Sequence, residues 1–274
     1  MFQAPLILLY RDCGLILRML RRHSTGRLLA VTFLFPIVFV LSANGSELPA
    51  DKIKDPLSPQ KFSVQDVIDK IGSKSEARLR HYFRRAGVPY PSPRVTLIGL
   101  KDEMKLEVWA DNGGKWVHIV TYEIYAASGK RGPKRAAGDR QVPEGVYRIT
   151  GLNPNSRFHL SMKLDYPNEY DRLMAQYDGR SNLGGDIYIH GKAKSIGCLA
   201  VGDANIEELF FLAAKTGTDN TKVIILPYDF RRKAPKVARG GPAWLPELYE
   251  TLVQEMAQYR RHKAAWFVDD QVNL

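Results

Sequence analysis

The sequence predicts a β-rich α+β fold, with one helix among the strands and further helices at both ends, and three patterns carry that reading. Two apolar runs, 104–109 and 116–124, flank Asp111-Asn112-Gly113-Gly114, the signature of a β-hairpin across an Asn-Gly turn. Residues 157–164 alternate: Phe158, Leu160, Met162 and Leu164 fall on one face, and Arg157, His159, Ser161 and Lys163 on the other. Leu245, Leu248, Leu252, Met256 and Tyr259 recur at helical spacing and mark an amphipathic C-terminal helix. With 274 residues, 45% of them hydrophobic and 25% charged, the chain can form one or two domains with a proper core.

The other elements follow in order. Residues 63–86 read as one or two helices through Val64, Val67, Ile68, Ile71, Leu79 and Phe83, and Val88-Pro89-Tyr90-Pro91 stops them. Strands are expected from Arg94, then over 146–150, 186–190, 199–201 and 222–226, with a short helix over 169–176. Residues 126–145, rich in Gly, Lys and Arg, read as a loop, and Asp203 or Asn205 as the cap of a helix running to about 215. The chain thus divides into a leader (1–45), a Pro-containing linker (46–62), a helical lead-in (63–92), a main domain (93–230) and a C-terminal helical extension (231–274).

The leader is a secretory signal in pattern. Arg18, Arg21, Arg22 and Arg27 precede an apolar stretch over 28–41, and the small residues Ser42, Ala43 and Gly45 follow. The stretch falls short of the roughly 20 residues that a membrane span needs. Export is therefore expected, with cleavage after Ala43 or Gly45; an uncleaved N-terminal membrane anchor is the alternative, and Met19 is an alternative start. Residues 1–45 hold five Arg and one Asp, so without them the net charge drops from +11 to +7. A basic exported protein meets anionic walls and membranes, unless its Lys and Arg serve only solubility. No interleaved basic-aromatic stripe or zinc-finger spacing supports nucleic-acid binding.

Cys13 falls in the leader, which leaves Cys198 alone in the exported part and without an intramolecular disulfide partner. Such a residue is an inert buried thiol, an intermolecular bridge or a nucleophile. Its surroundings are Ile187-Tyr188-Ile189-His190-Gly191-Lys192-Ala193-Lys194-Ser195-Ile196-Gly197-Cys198. Alternation sets Tyr188 and His190 on one strand face, and a seven-residue loop returns the chain to Cys198 at the start of the next strand. Two antiparallel strand ends would bring imidazole and thiol within hydrogen-bond reach. An imidazole there activates the thiol, and Gly197 permits a backbone that aims the N–H groups of Gly197 and Cys198 at an oxyanion. Ser195 orients His190 or fixes the loop, and the Gly191 carbonyl is an alternative holder of the imidazole. Equally, Gly191, Gly197 and Ser195 suit plain turn formers. One His and one Cys are too few for a metal site, so no metal or other cofactor is expected.

The run His190-Gly191 followed by Ser195-Ile196-Gly197-Cys198 resembles the YkuD-type L,D-transpeptidase signature, a His-Gly followed by Ser/Thr-His-Gly-Cys. The short His-to-Cys spacing is similar to the YafK-like branch of that family. So are Gly132-Pro133-Lys134 through Gly138-Asp139 to Pro143-Glu144-Gly145-Val146-Tyr147, and the run from Ser161 to Tyr166-Pro167-Asn168. The likeness covers roughly 79–228. Two positions depart from it: Ile196 replaces the second signature His, and Leu199, Ala200 and Val201 stand where an Arg commonly follows the Cys.

The resemblance implies an L,D-transpeptidase-like β-rich catalytic domain, with Cys198 as nucleophile and His190 as base, Gly191, Ser195 and Gly197 shaping the site. It implies attack on an amide at meso-diaminopimelate of a peptidoglycan stem peptide in the periplasm, through a thioester. Water resolves the thioester in hydrolases and an amine in transpeptidases, and the missing Arg leans the reading towards hydrolysis, with release of wall-bound outer-membrane lipoprotein. Forming 3–3 cross-links or attaching lipoprotein is the alternative within the fold, and a non-catalytic wall-binding module the alternative outside it. Tyr166, Lys134 and Lys192 are the candidate substrate contacts, with Arg135 beside them; a solvated loop for Lys134 and Arg135, and a half-buried aromatic for Tyr166, are the competing readings.

Overall fold

The computed structural model describes residues 61–237 and 239–260. The leader with Cys13, most of the linker, and the basic residues that follow Arg260 lie outside them. Four helices and nine strands make up the described chain: α1 (Val64–Arg85), β1 (Val95–Leu100), β2 (Lys105–Asn112), β3 (Lys115–Glu123), β4 (Ala126–Ala127), β5 (Gly145–Ser156), β6 (His159–Leu164), α2 (Glu169–Tyr177), β7 (Tyr188–His190), β8 (Leu199–Ala200), α3 (Asp203–Thr216), β9 (Thr221–Leu226) and α4 (Leu245–Met256).

Local chemistry accounts for most of these limits. Ser63 starts α1 through a reciprocal capping box with Asp66, Asn168 starts α2 the same way with Asp171, and Gly87 at φ +68 follows the end of α1. The β2–β3 hairpin forms where expected, but Gly113-Gly114 occupy the turn itself, since Asn112 pairs with Lys115. Both glycines have positive φ, 64° and 86°, the geometry whose twist matches the flanking strands. The expected cap of α3 is corrected: Gly202, at φ +79, holds the N-cap position without a side-chain bond, and Asp203 turns instead to the backbone of Lys192.

The strands join in one sheet of order β3-β2-β1-β9-β5-β6-β7-β8-β4. β9 runs parallel to β1 and antiparallel to β5 and is buried along nearly its whole length, as a central strand with both faces covered should be. Buried side chains of α1 and α3 pack on one face with Leu97, Leu106, Val223 and Ile225, and those of α4 pack on the other with Ile98, Trp109, Ile224 and Leu226. Two residues, Ile124 and Tyr125, carry the chain from β3 at one edge of the sheet to β4 at the other. The sheet must therefore curl, and a Cβ on Gly99 of β1 would lie 3.2 Å from Leu199 of β8.

One strand pairing differs from expectation. β7 and β8 are parallel, with Ile189 opposite Leu199 and His190 opposite Ala200. Strands of three and two residues are short enough for loop 191–198 to retrace them. Lys192 at φ +57 and Gly197 at φ +105 lie in that loop.

Candidate active site

Three adjacent strand ends build the site. Lys163 on β6 lies opposite Tyr188 on β7, and Ser161 opposite His190. Carrying the β7–β8 register back one residue sets Cys198 level with Tyr188. Because side chains alternate along a strand, Met162, Ile189 and Leu199 enter the core while Lys163, Tyr188, His190 and Cys198 share the opposite face. His190 and Cys198 are diagonal neighbours there, with backbones about 7–8 Å apart, a distance these side chains can span.

The imidazole is held on two sides. Nδ1–H donates to the Gly191 carbonyl at 2.6 Å, which leaves the lone pair on Nε2. The Phe158 ring lies against it with centroids 4.5 Å apart, and His190 is only 3% exposed. Burial lowers the imidazole pKa, and the bond to Gly191 opposes this only in part. Burial also pushes the Cys198 thiol up, against the backbone N–H of Tyr188 and the charge of Lys134. The resting pair is therefore a neutral thiol and a neutral imidazole. No hydrogen bond joins them; Sγ–H points to the Asp186 carbonyl at 3.7 Å.

Gly191 admits no side chain. A Cβ there would lie 2.6 Å from both the Phe158 carbonyl and Asp203 Oδ1, which also accepts the Lys192 N–H at 2.7 Å. Ser195 fixes the loop and does not orient His190: its hydroxyl donates to the Cys198 carbonyl at 2.6 Å and accepts the Cys198 N–H at 3.1 Å. The Gly197 N–H donates to Ser128 Oγ at 2.6 Å. Both amides expected to face an oxyanion are thus occupied by hydroxyls: that of Gly197 because the 128–142 loop folds against it, and that of Cys198 because Ser195 turns back within its own loop.

The expected substrate contacts are corrected in part. The Lys134 ammonium is buried and donates to Asp139 at 2.6 Å and to the Ala136 carbonyl at 2.8 Å, so it is neither a solvated loop residue nor a free carboxylate ligand. Asp139 organises that loop; burial works against its charge, but donors from Lys134, Ala136, Arg135 and Gln141 hold its pKa low. Arg135 pairs with Asp178. Tyr166 is buried, its hydroxyl directed at the Leu183 and Lys134 carbonyls, so it faces the interior and not a substrate. Lys192 is exposed, with its ammonium on the Arg157 carbonyl at 2.7 Å.

Among the described residues no group of three His, Cys, Asp or Glu can hold a metal ion. Sequence reasoning missed Ser128, Phe158 and Asp186 as neighbours of the pair. Asp186 begins the segment 186–190 expected as a strand, but the strand itself starts two residues later, at Tyr188. Ser128 is 70 positions from Cys198 and carries no local signal, and Phe158, expected on the core face with Leu160, instead lies in the turn before β6 with its ring on His190.

Residues 94–225 match the family model of YkuD, the L,D-transpeptidase catalytic domain. The match takes in a little under half of the chain, from the residue before β1 to the penultimate residue of β9, and the α+β architecture expected from the sequence is the one these elements build. The chain is 33% identical over 155 residues to the Escherichia coli K12 protein named "Putative L,D-transpeptidase YafK", covering 56% of this chain and 61% of that one; the O157:H7 protein of the same name matches equally. The chain thus spans about three fifths of these relatives' length. Among solved structures, the helical cell shape determining protein Pgp2 of Campylobacter jejuni aligns at 20% identity with a TM-score of 0.41, covering 60% of this chain and 56% of that one. Bd1075 of Bdellovibrio bacteriovorus aligns at 19% identity with a TM-score of 0.38, covering 61% and 55%.

Proposed function

We propose that this chain is an exported, periplasmic cysteine enzyme of the cell wall that cleaves an amide at meso-diaminopimelate in peptidoglycan stem peptides, releasing wall-bound lipoprotein. One observation carries the reading: Cys198 and His190 share a face, and the bond from Nδ1 to Gly191 leaves Nε2 as a base. The likeness of residues 94–225 to the L,D-transpeptidase catalytic domain supports it.

In this reading Nε2 takes the thiol proton as Sγ bonds to the carbonyl carbon, because the resting thiol is neutral. The tetrahedral oxyanion collapses, the C–N bond breaks, and the imidazolium gives its proton to the leaving amine. Water then attacks the thioester, His190 takes its proton, and Sγ leaves and is reprotonated. For Gly197 and Cys198 to donate to the oxyanion, Ser128 and Ser195 must release them.

Leu199, Ala200 and Val201 are fully buried, so no guanidinium sits after the cysteine to hold a stem carboxylate, which favours hydrolysis over transfer. No helix among the described residues is long and apolar enough to cross a membrane. Purified protein and its Cys198→Ala variant are incubated with muropeptides and lipoprotein-linked sacculi and the products analysed by mass spectrometry. Release of the linked peptide that vanishes in the variant supports the amidase; a new 3–3 cross-link that vanishes supports transfer instead. Unchanged substrates with retained wall binding by both proteins overturn the catalytic reading and leave a binding module.

A further inference from the structure

An ion pair stands beside the thiol without a structural need for it. Lys163 pairs with Tyr188 across β6 and β7, about 4.8 Å apart, and Cys198, the residue before β8, falls next in line when the register that sets Ile189 opposite Leu199 is carried back one residue. The Lys163 ammonium bonds to Asp186 Oδ1 at 3.0 Å and lies 5.9 Å from the centre of the Tyr188 ring. The Tyr188 hydroxyl donates to the same Asp186 oxygen at 3.2 Å. The Asp186 carbonyl, at the other end of that residue, accepts the Cys198 thiol.

Both charged side chains are exposed, 45% for Lys163 and 78% for Asp186, and exposed ion pairs contribute little to stability. Asp186 also holds a left-handed backbone, φ +55, which a non-glycine residue adopts at a cost and which tends to collect at working sites. Two other lysines near the site are engaged in the fold: Lys134 by Asp139, and Lys192 by the Arg157 carbonyl. The Lys163–Asp186 pair can open towards solvent and exchange its partners, the ammonium taking a carboxylate and the carboxylate taking an amine.

We propose that Lys163 and Asp186 form the specificity subsite for a zwitterionic amino-acid centre, a carbon bearing both a free ammonium and a free carboxylate, next to the bond that Cys198 attacks. The subsite rests on Cys198 being the attacking group, and it supplies the substrate carboxylate with a cation that the sequence after the cysteine lacks. Tyr188 forms the wall between the subsite and the thiol.

The test reads the field at Cys198 and the protection of Cys198 separately from turnover. The full chain and its Lys163→Met and Asp186→Asn variants are treated with anionic sulfonatoethyl, cationic trimethylammonioethyl and neutral methyl methanethiosulfonates, and labelling of Cys198 is followed by peptide mass mapping. Lys163→Met should slow the anionic reagent relative to the neutral one, and Asp186→Asn the cationic one, each by roughly three- to tenfold, the effect of one partly screened charge at this range. Free meso-diaminopimelate should protect Cys198 of the parent protein from the neutral reagent, its di-N-acetyl derivative should not, and either substitution should abolish the protection. Charge-independent labelling, or protection equal in the parent and both variants, overturns the subsite even if muropeptides are cleaved. Protection that depends on both residues, in a protein that leaves muropeptides uncleaved, keeps the subsite and overturns the amidase reading.

Discussion

At His190 the Phe158 ring covers one side of the imidazole, with centroids 4.5 Å apart. Phe158 sits in the turn between β5 and β6, and that turn is fixed by its own neighbours: the Arg157 carbonyl accepts Lys192 at 2.7 Å, and His159 meets Glu207 on α3 at 2.8 Å. Burial lowers the imidazole pKa, so uncovering the ring should raise it towards the free value of about 6.5. Phe158→Ala is expected to shift the His190 titration upward in nitrogen-resolved NMR, and Phe158→Tyr to leave it near the parent value. An unchanged midpoint in Phe158→Ala would remove Phe158 from this positioning role. The Cys and the His were legible in the sequence because a lone cysteine, a strand-end histidine and two glycines stood within a dozen positions. The groups that cover and brace them were not, because loop closure brings them from elements far along the chain.

At the scale of elements, the long periodic segments were readable and the short ones were not. The α1 stripe, the β2–β3 hairpin and the alternation of β6 each repeat a pattern several times. β7 and β8 are too short to show a direction, so the parallel pairing followed only from the closed loop. Helix α2 carries a testable tension at its capping box. Asp171 accepts the Asn168 N–H at 3.0 Å, yet burial raises its carboxyl to about 6. The folded state therefore keeps a proton that the unfolded chain releases near pH 3.9, so this group favours folding at low pH and that advantage is lost as pH rises through about 6. Asp171→Asn should gain stability relative to the parent across this window, by up to about 3 kcal/mol in urea unfolding between pH 4 and 7. A difference that stays constant with pH would contradict the assignment.

Across the whole molecule, the loop that backs the site is tied to both core faces by one buried network. Glu144 accepts the Lys101 ammonium at 2.9 Å, the Gly132 N–H at 2.8 Å and the Tyr249 hydroxyl of α4 at 2.8 Å. Lys101 also reaches the Gly132 and Val142 carbonyls at 3.1 Å, at the two ends of the loop that holds Lys134 and Asp139. Glu144→Ala leaves a buried ammonium without its counter-charge and should cost about 3–5 kcal/mol in denaturant unfolding, with Glu144→Gln costing less. A loss below about 1 kcal/mol would show that the network does not brace the fold. The α+β class was legible from patterning alone. The curl of the sheet was not, since it depends on Ile124 and Tyr125 joining opposite edges.

The central claim is that Cys198 becomes acylated by a stem peptide. The most direct measurement is peptide mass mapping of the protein quenched during reaction with muropeptides. The account predicts a stem-peptide adduct on the fragment carrying Cys198, absent from Cys198→Ala and strongly reduced in His190→Ala. Undiminished product formation by Cys198→Ala, with no adduct on the parent protein, would contradict it.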